Sequence, residues 1–189
     1  VAALGKGGWL EPTGVAEGGR FDLRTLCLAR ETLARHDGLA DFAFAMQGLG
    51  MGAVSLFGTP AQREWLDRTR AGAAISAFAL TEPGSGSDVA ASTASARRVP
   101  GGWVLEGEKT YISNGGIADV YVIFARTGEG PGAKGLSAFL MPADTPGLSV
   151  VERIEVVAPH PLAHLRLDGV HLPEGALIAP AQTRFFQTY

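Results

Sequence analysis

From Leu39 to Phe57 the chain carries only three clearly polar residues, Asp41, Gln47 and Ser55. A helix of that composition has too little polar surface to lie on the outside of a fold, so other elements or lipid must wrap it. Asp41, the glycines within the run and the lack of flanking basic anchors favour a buried core helix, packed on several sides by other helices. Around it the signals are helical as well. Between Asp22 and His36 the residues Leu26, Ala29 and Leu33 recur at helical spacing, with Asp22 placed to cap the start and Glu31 one turn before Arg35. Gly58 ends the apolar run, and Thr59, Pro60 and Gln62 form a helix-start signature for a third helix reaching about Arg70.

After Gly72 the periodicity changes. Ile75 to Leu80, Trp103 to Leu105, Thr110 to Ser113, Val120 to Ala125, Ser137 to Met141, Leu148 to Val157 and Leu165 to Leu167 read as short strands separated by Gly and Pro. No amphipathic helix intervenes between them, which points to an antiparallel sheet or barrel and not to a parallel doubly wound one. The loop from Thr127 to Gly135, rich in glycine, looks the most flexible.

A net charge of −3 without a cluster of lysines or arginines disfavours nucleic acid and anionic membranes as partners. The single cysteine, Cys27, cannot form an internal disulfide; among apolar neighbours it reads as a buried, inert thiol. The chain opens on Val1 with neither a secretory nor a transit pattern, so it is expected to begin inside a longer protein, of cytoplasmic location.

Two stretches carry chemistry. In Phe78-Ala79-Leu80-Thr81-Glu82-Pro83-Gly84-Ser85-Gly86-Ser87-Asp88 a strand runs into small residues, where main-chain N–H groups can approach an anion and serine hydroxyls add donors. An ordinary surface turn satisfying its own backbone is the competing reading. The spacing fits neither a P-loop nor the dinucleotide fingerprint. The second stretch, Lys109-Thr110-Tyr111-Ile112-Ser113-Asn114-Gly115-Gly116, sets an aromatic and a hydroxyl two residues apart on one strand face, suited to a flat ligand; a hairpin with its tyrosine in the core is the alternative. His160 and His164 could serve as polar contacts, but surface histidines are the favoured reading, with no third ligand to suggest a metal.

Taken together, these stretches resemble the acyl-CoA dehydrogenase family, whose middle domain carries a TEPGSGSD strand-loop, matched in full from Thr81 to Asp88, and a later strand ending near W-I-T-N-G. The similarity continues collinearly through Gly107-Glu108-Lys109, Ser113 to Gly116, Ala143 to Gly147 and Asp168 to Pro173, and backwards through Leu56 to Arg63. The resemblance implies an α+β chain: a partial N-terminal helical domain over residues 1–74, an antiparallel β-barrel domain over 75–180, and a linker or the start of a C-terminal helical domain over 181–189. It implies FAD as cofactor, bound by Phe78, Leu80, Thr81, Gly86, Ser87, Tyr111, Ile112 and Ser113. Ser87 would also meet an acyl-CoA substrate, and Ser113 would lie near the reactive flavin nitrogen. The implied reaction is α,β-dehydrogenation of an acyl-CoA to a trans-2-enoyl-CoA in fatty acid metabolism, with electrons passed to an electron-transfer flavoprotein by a homo-oligomer, tetramer or dimer. The family's catalytic glutamate belongs to the C-terminal helical domain, so no catalytic residue is assigned within the chain. Two departures stand out: Tyr111 where the family usually has tryptophan, and Ser113 where it has threonine. The segment Val157 to His164 replaces a turn that in many members contains glycine and serine. An acyl-CoA oxidase, a related flavin monooxygenase or a non-catalytic module of the same fold are the alternatives.

Overall fold

The computed structural model describes residues 1–128 and 130–179. Four helices come first: α1 (Ala2–Lys6), α2 (Leu23–His36), α3 (Gly38–Phe57) and α4 (Pro60–Arg70). Eight strands follow: β1 (Ser76–Ala79), β2 (Ser95–Val99), β3 (Gly102–Ser113), β4 (Val120–Arg126), β5 (Leu136–Pro142), β6 (Leu148–Ile154), β7 (Leu162–Pro173) and β8 (Leu177–Ala179). The segment 181–189, read from sequence as a linker or helix start, lies outside the described residues.

The helix-start chemistry forms as the residue types dictate. Asp22 accepts from the backbone N–H groups of Arg24 and Thr25, and Arg35 pairs with Glu31. The Thr59 hydroxyl accepts from Gln62 N–H while the Gln62 carboxamide oxygen accepts from Thr59 N–H at 2.9 Å, a complete capping box. Its other amide atom is used too: Gln62 Nε2 donates to the Gly175 and Leu177 carbonyls, tying α4 to the entry of β8.

α3 is not simply a helix among helices. α2 and α4 flank it, but its buried C-terminal half also packs on β1 and the neighbouring strands. Gly50 makes that approach possible, since a Cβ there would lie 2.2 Å from the Ser76 hydroxyl. Beside it, buried Gln47 donates to the Ala74 carbonyl at 2.7 Å and accepts from Ser76 N–H at 2.9 Å. This polar side chain in the middle of the apolar run is therefore satisfied by the backbone entering β1. Cys27, expected inside, is exposed: α2 meets its neighbours along a single stripe in which only Leu33 is fully buried, and Cys27 falls outside it.

The closed antiparallel barrel expected from sequence is corrected to an open, mixed sheet. Its order is β6-β7-β3-β2-β4-β5-β8, with β1 added beside β4. β1 pairs with β4 in parallel from Ser76–Val120 to Ala79–Ile123, and β2 meets β4 in parallel at the single pair Ser95–Arg126. Closure requires the terminal strands to share a ladder. Here β6 is exposed along nearly its whole length, and three-residue β8 ends the path under the helices. The central strand β4 shows how the layers meet. Val120, Val122 and Phe124 face Met51, Val54 and Leu66 of the helices, while Tyr121, Ile123 and Ala125 face the sheet's inner core with Leu105, Phe139 and Leu165. A strand apolar on both faces belongs at the centre of a layered fold.

Candidate functional site

The end of β1 and the second half of β3 lie side by side. Thr110 N–H donates to the Thr81 carbonyl at 2.9 Å, so the TEPGSGSD loop departs from the sheet alongside Tyr111. The loop then closes on itself, Glu82 and Ser85 exchanging two backbone hydrogen bonds of 2.9 and 3.1 Å. The Ser85 hydroxyl donates to the Asp88 carbonyl at 2.6 Å, and the Asp88 carboxylate accepts from Ala90 N–H.

Beneath this turn sits a buried ion pair. Lys109 Nζ lies 2.7 Å from Glu82 Oε1 and also donates to the Leu80 carbonyl at 3.0 Å; both side chains are almost wholly out of solvent. The remaining Glu82 valence is filled by Thr93 N–H, the Thr93 hydroxyl and Ala94 N–H. Burial opposes ionisation of Glu82, but Lys109 and the Thr93 donors outweigh it and hold the carboxyl below its ordinary pKa. For Lys109 burial is the larger effect and draws the ammonium below its ordinary value, with Glu82 opposing. A carboxylate so enclosed is a strut, not a base awaiting a proton.

The outer side is open. Gly86 and Ser87 are exposed, whereas Glu82 and Ser85 of the same loop are buried. A Cβ built at Gly84 or Gly86 would meet no atom within 4 Å. Phe78 and Leu80 are half-buried, Phe78 against Phe124 with ring centroids 4.8 Å apart, and Thr81 is partly exposed.

On β3 the pairing slips against β7 between Lys109 and Ile112, where one extra residue is accommodated. Tyr111 takes φ 54°, a conformation rare for a bulky residue, and its side chain is 63% exposed. The core-tyrosine alternative is thereby excluded. Ile112, 1% exposed, turns into the core, so of the expected ligand contacts it can offer only its backbone. Ser113 is half-buried. Asn114, at φ 62°, is buried and ties the end of β3 to β1, its Nδ2 donating to the Ser76 carbonyl at 2.9 Å. The Thr81–Thr110 backbone bond thus sets Leu80 and Thr81 beside Tyr111, Ser113 follows two residues along the same strand, and Gly86 and Ser87 occupy the exposed stretch of the loop.

His160, read from sequence as a surface histidine, is placed differently. It is half-buried, its Nε2 lies 2.9 Å from Ser113 Oγ, and its ring packs against Phe42 of α3 with centroids 4.1 Å apart. His164 behaves nearer to expectation, hydrogen-bonding Glu108 at 3.1 Å where Arg166 also binds. Among the described residues no cluster of three or more His, Cys, Asp or Glu could hold a metal.

The profile described as "Acyl-CoA dehydrogenase, middle domain" matches residues 77–170, which contain both segments of this site. The short-chain specific acyl-CoA dehydrogenase of Homo sapiens mitochondria is 37% identical over 137 residues, 70% of this chain and 33% of that protein. In structure, the chain is similar to an acyl-CoA dehydrogenase from Geobacillus kaustophilus (TM-score 0.85, 25% identity, 99% of this chain and 51% of that one). It is also similar to a glutaryl-CoA dehydrogenase from Mycobacterium smegmatis in complex with FADH2 (TM-score 0.75, 36% identity, 83% of this chain and 40% of that one). The chain thus spans about a third of the length of the curated relative and up to half of these solved chains. On the motif, the fold and these matches, the chain belongs to the acyl-CoA dehydrogenase family.

Proposed function

We propose that this chain supplies the flavin cradle and one wall of the acyl-thioester pocket of an FAD-dependent acyl-CoA dehydrogenase. The observation that carries this reading is the joined edge of Thr81 and Tyr111. An aromatic ring held out of the core on a strained backbone stands beside a loop whose outer face is hydroxyl-bearing and open, with the exposed Asp88 carboxylate engaged by Ala90 N–H. Strain of that kind persists where the surrounding structure enforces it, and it concentrates at ligand sites. The residues fit the group. A flavin requires an apolar wall, a few directed donors and neutral polar groups around its phosphates. Phe78, Leu80 and Tyr111 offer apolar surface, Thr81 and Ser113 hydroxyls, and Gly86 and Ser87 an unobstructed backbone with one more hydroxyl. Phe78, Leu80, Thr81, Gly86, Ser87, Tyr111 and Ser113 would hold FAD, which would supply the acceptor for the hydride leaving the substrate β-carbon. The protein's own task here is to hold the ring, orient the thioester through Ser87 and keep water from the reacting edge.

No carboxylate among these site residues is assigned as the base. Glu82 is enclosed with Lys109, and Asp88 caps the turn that follows it. The family's base glutamate is expected from the C-terminal helical domain, with an electron-transfer flavoprotein taking the electrons and a homo-oligomer as the working form. The full-length protein, purified, should show the visible absorbance of bound flavin, bleached by an acyl-CoA with formation of the trans-2-enoyl-CoA. A well-folded protein that takes up no flavin would overturn the reading.

A further inference from the structure

The segment 157–164 departs from the family's usual turn, and it delivers His160 to the back of Ser113. We infer that His160 is a positioning residue that fixes the direction of the Ser113 hydroxyl, its Nε2–H donating to Ser113 Oγ so that the serine proton is free to donate to an acceptor on the bound ring. The inference rests on the flavin reading above and adds a residue to it.

A serine hydroxyl carries one proton and rotates freely, so alone it can be donor or acceptor toward a ligand. A neighbour that donates to its oxygen removes that ambiguity. Here the neighbour is rigid: the ring of His160 is packed on Phe42, its backbone N–H is bonded to the Ala158 carbonyl at 2.7 Å, and Pro159 and Pro161 flank it. Asn114 N–H donates to the Pro161 carbonyl at 2.9 Å, clamping the β6–β7 connection to the end of β3. Serine and histidine are thus held by the same pair of strands. Burial pushes the imidazole below the ordinary histidine pKa, so near neutral pH it is uncharged. The ionisable side chain lining the cleft beside it is Asp37, at the start of α3, whose carboxylate already accepts from Leu39 N–H at 2.8 Å. A neutral ring has one N–H, here assigned to Nε2, the nitrogen 2.9 Å from Ser113 Oγ. The device would suit a serine that stands where the family usually has threonine, because serine lacks the methyl group that restricts the rotamer.

Two measurements test this on the full-length protein. In the flavin-free form, nitrogen NMR of His160 should show a protonated Nε2 whose signal moves on Ser113→Ala; an unprotonated Nε2 at neutral pH overturns the assignment, whatever the protein binds. In the flavin-loaded form, His160→Phe keeps the ring on Phe42 but removes the donor, and should slow flavin reduction about five- to tenfold, the worth of one hydrogen bond. His160→Gln, which can still donate, should recover most of that loss. The double replacement of His160 and Ser113 should be no slower than Ser113→Ala alone. Bound flavin with His160→Phe reduced at the wild-type rate, or additive losses in the double variant, rejects the role of His160 while leaving the flavin reading intact. Absence of flavin from the wild-type protein rejects that reading instead, and the NMR result stands by itself.

Discussion

The TEPGSGSD loop has two sides that differ in almost every physical respect, although their residues alternate along a few positions of chain. Inward, Glu82 and Ser85 are buried and every oxygen of the Glu82 carboxylate is bonded, to Lys109, Thr93 and Ala94. Outward, Thr81, Gly86 and Ser87 face space, beside a tyrosine held out of the core on a left-handed backbone. The inner side spends ionic and hydrogen-bonding capacity on fixing the loop; the outer side keeps its capacity uncommitted. A binding surface needs both, because an uncommitted donor is useful only if its position is rigid.

The largest effect should come from breaking the inner side. Lys109→Met leaves the Glu82 carboxylate buried without its counter-ion, which typically costs about 3–5 kcal/mol. Urea unfolding should register that loss, and replacing both partners, as Glu82→Gln with Lys109→Met, should cost less than the single change. If Lys109→Met were within about 0.5 kcal/mol of wild type, the supposed strut would carry no weight.

The same pair predicts an acid response. The folded pKa of Glu82 lies below that of an unfolded glutamate, about 4.3. Its contribution is therefore complete above that value and lost as pH falls through the lower, folded one. Urea midpoints from pH 7 to 3 should drop more steeply for wild type than for Glu82→Gln. Parallel curves would show that Glu82 titrates in the folded protein as it does in the unfolded one.

This contrast also marks what could be read without coordinates. Helix caps, the buried α3 and most strands follow from local patterns, as with Thr59 and Gln62 or the apolar run itself. The open sheet does not. β1 is joined to β4 across more than 40 residues (Ser76 with Val120), and no local periodicity records a parallel partner at that distance. β2 was missed because Ser95-Ala96-Arg97-Arg98-Val99 carries charge at its exposed positions and little β signal. At the site, motif residues were found but their depths were not: alternation cannot foresee a bulge, so Ile112 was named among ligand contacts although its side chain is in the core. His160 was read as a surface histidine for a related reason. Its meaning depends on Ser113, 47 residues earlier, and on a ring from α3.

On the outer side, changes should move function without lowering stability. Tyr111→Asn suits the left-handed conformation, which costs a bulky residue about 1–2 kcal/mol. The exposed ring gives up little packing in exchange. The variant should unfold at equal or slightly higher urea concentration while binding flavin less tightly, by fluorescence titration of the flavin-depleted protein. A loss of stability beyond about 1 kcal/mol would mean that the tyrosine braces the fold and that its exposure is incidental.

The smallest structural effect, and the sharpest separation of the two sides, is expected at Ser87. Its neighbour in the motif, Ser85, is buried and donates to the Asp88 carbonyl, so Ser85→Ala removes a hydrogen bond that holds the loop and should cost about 0.5–1.5 kcal/mol. Ser87→Ala removes an exposed hydroxyl and should leave the unfolding midpoint within about 0.5 kcal/mol of wild type. If the outer hydroxyl meets the bound thioester, the same substitution should weaken acyl-CoA binding about five- to tenfold by calorimetry, the value of one lost hydrogen bond. Two serines separated by a single glycine would then report opposite halves of one loop, one through unfolding and the other through ligand affinity. Equal changes in both measurements for both variants would erase the distinction between strut and surface.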